Sequence, residues 1–255
     1  MTAPPPTVVV LPDPQTLAAS VAARLVTRLF DAQAERGTAS VVLTGGTVGI
    51  AALAAVRAST TRGAVDWSRV DLWWGDERWL PAGSADRNDQ QARDALLSAL
   101  DLDPARVHDM PAPGSADDDP DSAAASYADE LARHAGPDSD VPAFDVLLLG
   151  MGPEGHVASI FPESPAAHDE RSAFAVHGCP KPPPTRISLG FTALTAAREV
   201  WLIVAGAEKA PMVALALSGA GRVQVPSAGA VGTRQTLWLL DEAAAGRLPR
   251  ELRRR

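Results

Sequence analysis

The chain has 255 residues, 46% of them hydrophobic, and a formal net charge of −8. This length and apolar fraction predict one α/β domain with a sizeable core. The acidic balance argues against nucleic-acid binding through a general basic field, and no apolar run approaches the ~18 residues that a membrane span needs. The single cysteine, Cys179, argues against an intrachain disulfide or a CxxC metal knuckle. With no basic and apolar signal peptide at the N-terminus, we expect a cytoplasmic protein.

Strand and helix patterns alternate along the chain. Asp13 and Pro14 predict a helix start that Gly37 ends, and Asp86 is expected to cap a later helix. In chain order, the predicted elements are strand 7–11, the helix between 14 and 37, strand 40–43, helix 50–58, strand 70–74, a helix carrying 92–100, helix 127–134, strand 144–149, edge strand 173–176, strand 187–189, helix 192–197, strand 200–205, helix 208–217 and strand 236–240.

This alternation predicts a mostly parallel central sheet with helices on both faces, in a single domain spanning 1–255. Residues 1–6 and 251–255 are expected to be flexible tails. The acidic segment 113–122 is expected to be a mobile loop.

Three predicted strands end in polar, glycine-containing turns, at 44–47, 75–78 and 150–156. Parallel strands place their carboxyl ends along one edge of a sheet, so we expect these turns to meet. The turn Thr44-Gly45-Gly46-Thr47 runs into a helix, and its free backbone N–H groups predict an anion cradle. The alternative is an ordinary strand-to-helix turn.

Three cations lie beside strand ends or a helix start, where they would clamp a phosphate: Arg78, Arg186 and Lys209. For each of them a structural salt bridge is the competing interpretation, and Asp76 and Glu77 are ready partners for Arg78.

Glu154 and His156 follow the strand 144–149 and form a candidate general-base pair. One alternative is a tight turn with a solvent-facing histidine. Another is the dinucleotide fingerprint, because three glycines in this turn are followed by Asp169 and Glu170 at about the expected distance of ~20 residues. That fingerprint needs a long helix, which Pro162 would stop.

Other catalytic signatures are absent from the sequence. It contains no Gly-x-Ser-x-Gly elbow and no HExxH motif or cysteine cluster for zinc, so no metal is predicted. Lys181, in a proline-rich loop, is expected to be exposed, as are the remaining histidines, His108, His134, His168 and His177.

Three segments resemble the signature blocks of the 6-phosphogluconolactonase family. They are LTGGTVGI at 43–50, WWGDERWLP at 73–81 with Asn88 beyond it, and GMGPEGHVASIFP at 150–162. Segments 185–194 and 206–210 are also similar to that family, in which an arginine and a lysine at these places, here Arg186 and Lys209, face the substrate. The resemblance implies a Rossmann-like α/β fold. It also implies hydrolysis of 6-phospho-D-glucono-1,5-lactone to 6-phospho-D-gluconate in the oxidative pentose phosphate pathway, with no cofactor.

The chain departs from the family pattern at two points. Glu154 replaces the usual aspartate before Gly-His, and Val48-Gly49 stands where the first block usually has Thr-Pro. A rival in the same superfamily, the glucosamine-6-phosphate deaminases, typically has a glutamate five residues after that histidine, where this chain has Phe161. A third alternative is a non-catalytic sugar-phosphate sensor.

The expected mechanism has His156 as general base on a water molecule, with Glu154 or Asp76 orienting the imidazole. The substrate phosphate is expected to bind a set of loop and side-chain groups: Thr44, Gly45, Gly46, Thr47, Arg78, Asn88, Arg186 and Lys209. The expected partner is this small phosphorylated lactone, with no nucleic acid or membrane, and the chain is expected to be a monomer or a weak homodimer.

Overall fold

The computed structural model describes residues 4–114 and 119–254. Residues 1–3 and 255 of the predicted tails, and residues 115–118 of the predicted mobile loop, lie outside the described part. Within it, no helix combines the length and the apolar character required to cross a bilayer.

The described residues form nine strands and seven α-helices. The strands are β1 (Thr7–Leu11), β2 (Ala39–Leu43), β3 (Val70–Trp74), β4 (Asp76–Arg78), β5 (Val146–Gly150), β6 (Ala173–Val176), β7 (Arg186–Leu189), β8 (Glu199–Val204) and β9 (Gln235–Asp241). The helices are α1 (Pro14–Arg36), α2 (Gly46–Ala58), α3 (Asn88–Ala95), α4 (Pro120–Arg133), α5 (Phe191–Leu194), α6 (Ala210–Leu217) and α7 (Pro226–Gly229).

Six strands form the central sheet, in the order β1-β9-β8-β5-β2-β3, and every pair in it is parallel. All six residues of β8 are buried, and so are the first four of β5. Successive residues of a strand point to opposite faces, so both faces of the sheet are covered at its centre. This confirms the predicted α/β class with a mostly parallel central sheet.

The carboxyl ends of β3, β2 and β5 lie side by side, because these strands are neighbours in the sheet. The chain adds β3 on one side of β2 and then adds β5 and β8 on the opposite side of β2. The direction in which strands are added to the sheet therefore reverses between β2 and β5. Ligands of parallel α/β sheets bind at such a switch point. The prediction that the three glycine turns meet at one edge is confirmed.

A second, antiparallel sheet of β4, β7 and β6 was not predicted. Residues 76–78 were expected to be a turn, and 187–189 were predicted to be a strand without a stated pairing. Instead the chain leaves the main sheet at Gly75, whose carbonyl accepts the N–H of Leu189 at 2.9 Å. This bond draws β7 alongside β4 and sets Arg78 directly opposite Arg186.

Capping explains where the helices agree with the prediction and where they differ. Asp13 caps α1 by accepting the N–H of Thr16 at 2.7 Å, and Gly37 ends that helix with φ of 80°, both as predicted. Asp86 does not cap α3. That helix begins at Asn88, because the carboxylate of Glu77 accepts the N–H groups at its start from a neighbouring strand.

The acidic segment also ends earlier than predicted. Asp119 accepts the N–H of Ser122 at 2.9 Å, so α4 begins at Pro120 inside the segment that was expected to be a loop. At the other end of the chain, residues 252–254 form a turn of 3₁₀-helix.

Candidate active site

A cleft of about 310 Å³ lies at the carboxyl ends of β2, β3 and β5. It is lined by every predicted site residue except Glu154, which contacts the lining histidine from behind. The structure therefore brings the predicted set together. The additional lining residues include Lys181, Ala158 and Ile203.

The glycine loop leaves the start of α2 open to the cleft. Gly45 occupies the N-cap position, and no side chain caps the helix. A Cβ on Gly45 would lie 2.1 Å from Oδ1 of Asn88, so only glycine lets the loop pass so close to that side chain. The Thr44 hydroxyl accepts the N–H of Gly150 at 3.2 Å, which ties the loop to the end of β5. Uncapped N–H groups at a helix start form an anion site.

Gly49, one of the departures from the family pattern, also has a packing role. A Cβ at this position would approach both the side chain and the carbonyl of Thr44 to 2.8 Å. The glycine thus allows the first turn of α2 to close tightly on the loop.

Two arginines face each other across β4 and β7. Arg78 pairs directly with Arg186 in the register, and like charges in that position repel. In the described chain no carboxylate lies within 4.0 Å of the Arg78 guanidinium, which donates to the carbonyl of Asp86. Arg186 reaches Asp76 only at 3.8 Å. The Arg186 guanidinium also donates to the backbone carbonyls of Pro182 and Pro183. Two neighbouring cations without a close carboxylate suit an anion that binds between them.

Glu77 was a candidate salt-bridge partner of Arg78, but the two side chains do not pair in the structure. Its carboxylate is 1% exposed and accepts the N–H groups of Arg78, Asn88 and Asp89 at 2.7–2.8 Å. Arg87, also 1% exposed, lies 3.8 Å from it. Burial raises the pKa of Glu77 to about 7, against the opposing effect of these hydrogen bonds and of Arg87.

Asp76 organises the floor of the cleft. Its carboxylate accepts the Ser159 hydroxyl at 2.8 Å, and its carbonyl accepts the Asn88 side-chain amide at 2.8 Å. Its partners in the described chain are these residues and Arg186, rather than His156. Ser159, which is buried and contacts Asp76 in this way, was not among the residues that the sequence analysis singled out.

His156 lies with its ring stacked on Phe161, with centroids 4.4 Å apart. Its Nδ1 is 3.2 Å from Oε1 of Glu154, although the two atoms are not aligned as a hydrogen bond. Gly152 makes room for this pair, because a Cβ there would lie 2.1 Å from the imidazole. The side chain is 18% exposed, so the interpretation as a solvent-facing histidine is wrong.

Burial lowers the pKa of His156, and the nearby Lys181 ammonium lowers it further, whereas Glu154 opposes the shift. The imidazole is therefore neutral at pH 7 and able to accept a proton. For Glu154, hydrogen bonds and the charges of His156 and Lys181 outweigh burial and lower the carboxyl pKa. The pair is neutral base and carboxylate, the state that general-base catalysis requires.

Lys181, which was expected to be an exposed loop residue, also lines the cleft. Its side chain is 43% exposed, but its Nζ lies 3.0 Å from Oε1 of Glu154. The available signal was composition, because Lys181 and Lys209 are the only lysines in a chain with 21 arginines. Lys209 lies at the N-cap of α6, and burial lowers its pKa.

The dinucleotide interpretation fails on local structure. The three glycines of the turn lead into turns and a short bridge between Val157 and Ile160, followed only by a 3₁₀ segment at Pro165–His168. The helix that would hold a pyrophosphate does not begin there.

Comparison with known proteins agrees with this geometry. The family model described as glucosamine-6-phosphate isomerases/6-phosphogluconolactonase matches residues 12–238. The chain belongs to this family. It is 57% identical over 251 residues to a 6-phosphogluconolactonase of Streptomyces coelicolor, covering 97% of this chain and 96% of the relative. It is 49% identical to one of Mycobacterium tuberculosis, covering 94% and 97%.

Solved structures show the same fold. The 6-phosphogluconolactonase of Trypanosoma brucei superposes with a TM-score of 0.80 at 28% identity, over 97% of this chain and all of that one. A monomeric glucosamine-6-phosphate deaminase superposes with a TM-score of 0.76 at 17% identity, covering 94% and 99%. At 17% identity the deaminase shows the fold alone, whereas the high-identity relatives place this chain among the enzymes called 6-phosphogluconolactonases.

Proposed function

We propose that this chain hydrolyses 6-phospho-D-glucono-1,5-lactone to 6-phospho-D-gluconate, the reaction of the oxidative pentose phosphate pathway. The observation that carries the proposal is that one cleft is lined by the His156 imidazole, by two arginines that lie opposite each other, and by an uncapped helix start. A substrate with an acyl carbon and a phosphate matches these two kinds of group. The names of the relatives support the same substrate.

In the proposed mechanism Nε2 of His156 removes a proton from water, because Nδ1 faces Glu154. The water oxygen attacks C1 of the lactone, and the tetrahedral intermediate expels the ring oxygen. The imidazolium returns its proton to that oxygen, which becomes the C5 hydroxyl, while C1 becomes the carboxyl group. Glu154 stabilises the transient imidazolium, and no covalent enzyme intermediate is needed.

Phosphate binding contributes by position. The open N–H groups at 45–47, Arg78, Arg186 and Lys209 would hold the phosphate and bring C1 to His156. Holding two reactants in the correct geometry lowers a barrier by about 7 kcal/mol in favourable cases. Asn88 shapes this end of the cleft through its contact with Gly45.

Two alternatives predict different chemistry. Deamination of glucosamine 6-phosphate requires the ring-opening glutamate of the rival family, but Phe161 occupies its place and stacks on His156. A sugar-phosphate sensor would bind 6-phosphogluconate and show no turnover. Ammonia release from glucosamine 6-phosphate would favour the first, and thermal stabilisation by 6-phosphogluconate without lactone hydrolysis would favour the second.

The decisive experiment measures acid release from freshly generated 6-phosphogluconolactone, above its spontaneous hydrolysis. We expect His156→Ala to lower kcat by about 10²–10⁴-fold, the usual contribution of a general base. His177→Ala is the matched control, since His177 lies exposed against Asp121 outside the cleft. A His156→Ala rate close to that of the unmodified protein would remove His156 from the base role.

A further inference from the structure

A cluster of metal-binding residue types lies beside β3 and shares no residue with the lining of the cleft. It consists of His108, Glu130 and His134, whose candidate ligand atoms all lie within 4.8 Å of one another. His108 was expected to be exposed, but it is 5% exposed, and its backbone N–H donates to the carbonyl of Leu72 at 2.9 Å. Glu130 lies on α4 and His134 ends that helix, four residues later.

Two imidazoles converge on a single carboxylate oxygen. Oε1 of Glu130 lies 2.8 Å from Nδ1 of His108 and 3.5 Å from Nδ1 of His134. The other oxygen of Glu130 pairs with Arg133, so Oε1 alone is left for the histidines. A hydrogen bond between His108 and Glu130 does not by itself explain why the His134 imidazole also approaches Oε1 of Glu130.

The two rings are held in place by Trp73. His108 stacks on its indole with centroids 3.7 Å apart and an angle of 12°, and His134 meets it edge-on at 5.5 Å. The ring centroids of the two histidines are 4.5 Å apart. Because Trp73 is 1% exposed and packed in the core, this arrangement is rigid on the His108 side.

A carboxylate also stands behind one of the candidate ligands. Nε2 of His108 lies 3.5 Å from Oδ1 of Asp71, whose other oxygen is bound by Arg106. Metal-binding histidines almost always have such a partner for their second nitrogen, which fixes the ring and strengthens it as a ligand.

We propose that His108, Glu130 and His134 bind a divalent transition metal ion of the zinc type. Two imidazole nitrogens and one carboxylate oxygen suit Zn²⁺ or Co²⁺ rather than Mg²⁺ or Ca²⁺, which prefer all-oxygen sites. The adjoining cavity, about 520 Å³ and lined by His108 and Glu130, supplies room for water in a fourth position. To bind, Nδ1 of His134 exchanges its 3.0 Å contact with the carbonyl of Glu130 for the metal, or the ring turns to offer Nε2.

The bound ion would join the segment after β3 to the end of α4. It acts on stability rather than on the proposed hydrolysis, because none of its ligands lines the cleft. Binding to the folded chain alone raises its thermal stability with metal concentration.

The test uses the full chain without a polyhistidine tag, freed of metal by chelation and then titrated with Zn²⁺ and Co²⁺. We expect one equivalent of Zn²⁺ by calorimetry and the visible absorption of four-coordinate Co²⁺. Asp71→Asn should weaken binding by about 10–100-fold, and His134→Gln and Glu130→Gln by at least as much. His134 lies exposed at a helix end, so its substitution leaves the fold intact for the comparison.

Two control variants locate the ion. His177→Gln removes an exposed histidine paired with Asp121, and His156→Ala removes the histidine of the cleft. Both should keep the Zn²⁺ equivalent, and His134→Gln should keep its lactone hydrolysis. The proposal is overturned if the unmodified protein binds no Zn²⁺, if His134→Gln and Glu130→Gln bind it unchanged, or if His156→Ala abolishes binding.

Discussion

At the scale of single residues, burial lowers the pKa of His156, and the charges of its neighbours adjust that pKa further. The Lys181 ammonium lowers the imidazole pKa and the Glu154 carboxylate raises it. The base works only when neutral, so kcat/KM falls on the acid side as His156 becomes protonated. Lys181→Ala should move this acid limb to higher pH, because it removes a cation. Glu154→Gln should move it to lower pH, because it removes the anion that stabilises the imidazolium.

A pH series of kcat/KM for both variants checks this prediction. Arg171→Ala is the control, since Arg171 pairs with Asp169 outside the cleft and should leave the limb in place. Shifts of both variants in the same direction would show that the two charges do not act on the titrating group. In that case the catalytic base would be a different residue.

At the scale of elements, Glu77 links β4 to the start of α3. Both of its oxygens accept backbone N–H groups, so Glu77→Gln would turn an amide NH₂ toward a donor. We expect this variant to lose about 1–3 kcal/mol of unfolding free energy, the cost of a buried unsatisfied donor. Denaturant unfolding measures it, and Glu35→Gln, at an exposed glutamate paired with Arg36, should change little.

The contribution of the Glu77 carboxyl to the unfolding free energy also depends on pH. Its folded pKa, raised to about 7, lies above the ordinary value of 4.5. The folded chain then holds a proton that the unfolded chain releases, so this contribution is complete below pH 4.5 and fades as pH rises through about 7. The difference in unfolding free energy between the unmodified chain and Glu77→Gln should be larger at about pH 5 than at about pH 8. A difference that grows with pH would contradict this assignment.

The elements also show what the sequence could predict. Asp13 and Gly37 act within a few residues of the helix ends that they define, so local pattern placed α1 correctly. The cap of α3 comes from Glu77, which lies eleven residues earlier on strand β4. A local sequence pattern does not predict such a contact. Likewise the pairing of β4 with β7 joins segments more than 100 residues apart. That pairing is what places Arg78 against Arg186.

At the scale of the whole molecule, the parallel sheet provides a rigid edge on which distant segments form one cleft. The glycine turns follow β2 and β5, which periodicity identifies, so their meeting was predictable. Lys181 reaches Glu154 from a proline-rich loop 27 residues later, and its place depends on the path of that loop. Contacts of this kind follow from the packed fold rather than from local spacing.

Ligand binding should therefore stabilise the whole chain through the arginine pair. With 6-phosphogluconate at about 100 times its Kd, the folded state gains about 2.7 kcal/mol, or roughly 5–10 °C in Tm for a chain of this size. Arg186→Ala should reduce that shift at the same concentration. In phosphate-free buffer the same variant removes the repulsion with Arg78 and also the hydrogen bonds that Arg186 donates to the carbonyls of Pro182 and Pro183, so its Tm without ligand is the baseline for the shift. Thermal unfolding with and without ligand measures both effects, and equal stabilisation of the variant and the unmodified chain would show that the phosphate binds elsewhere.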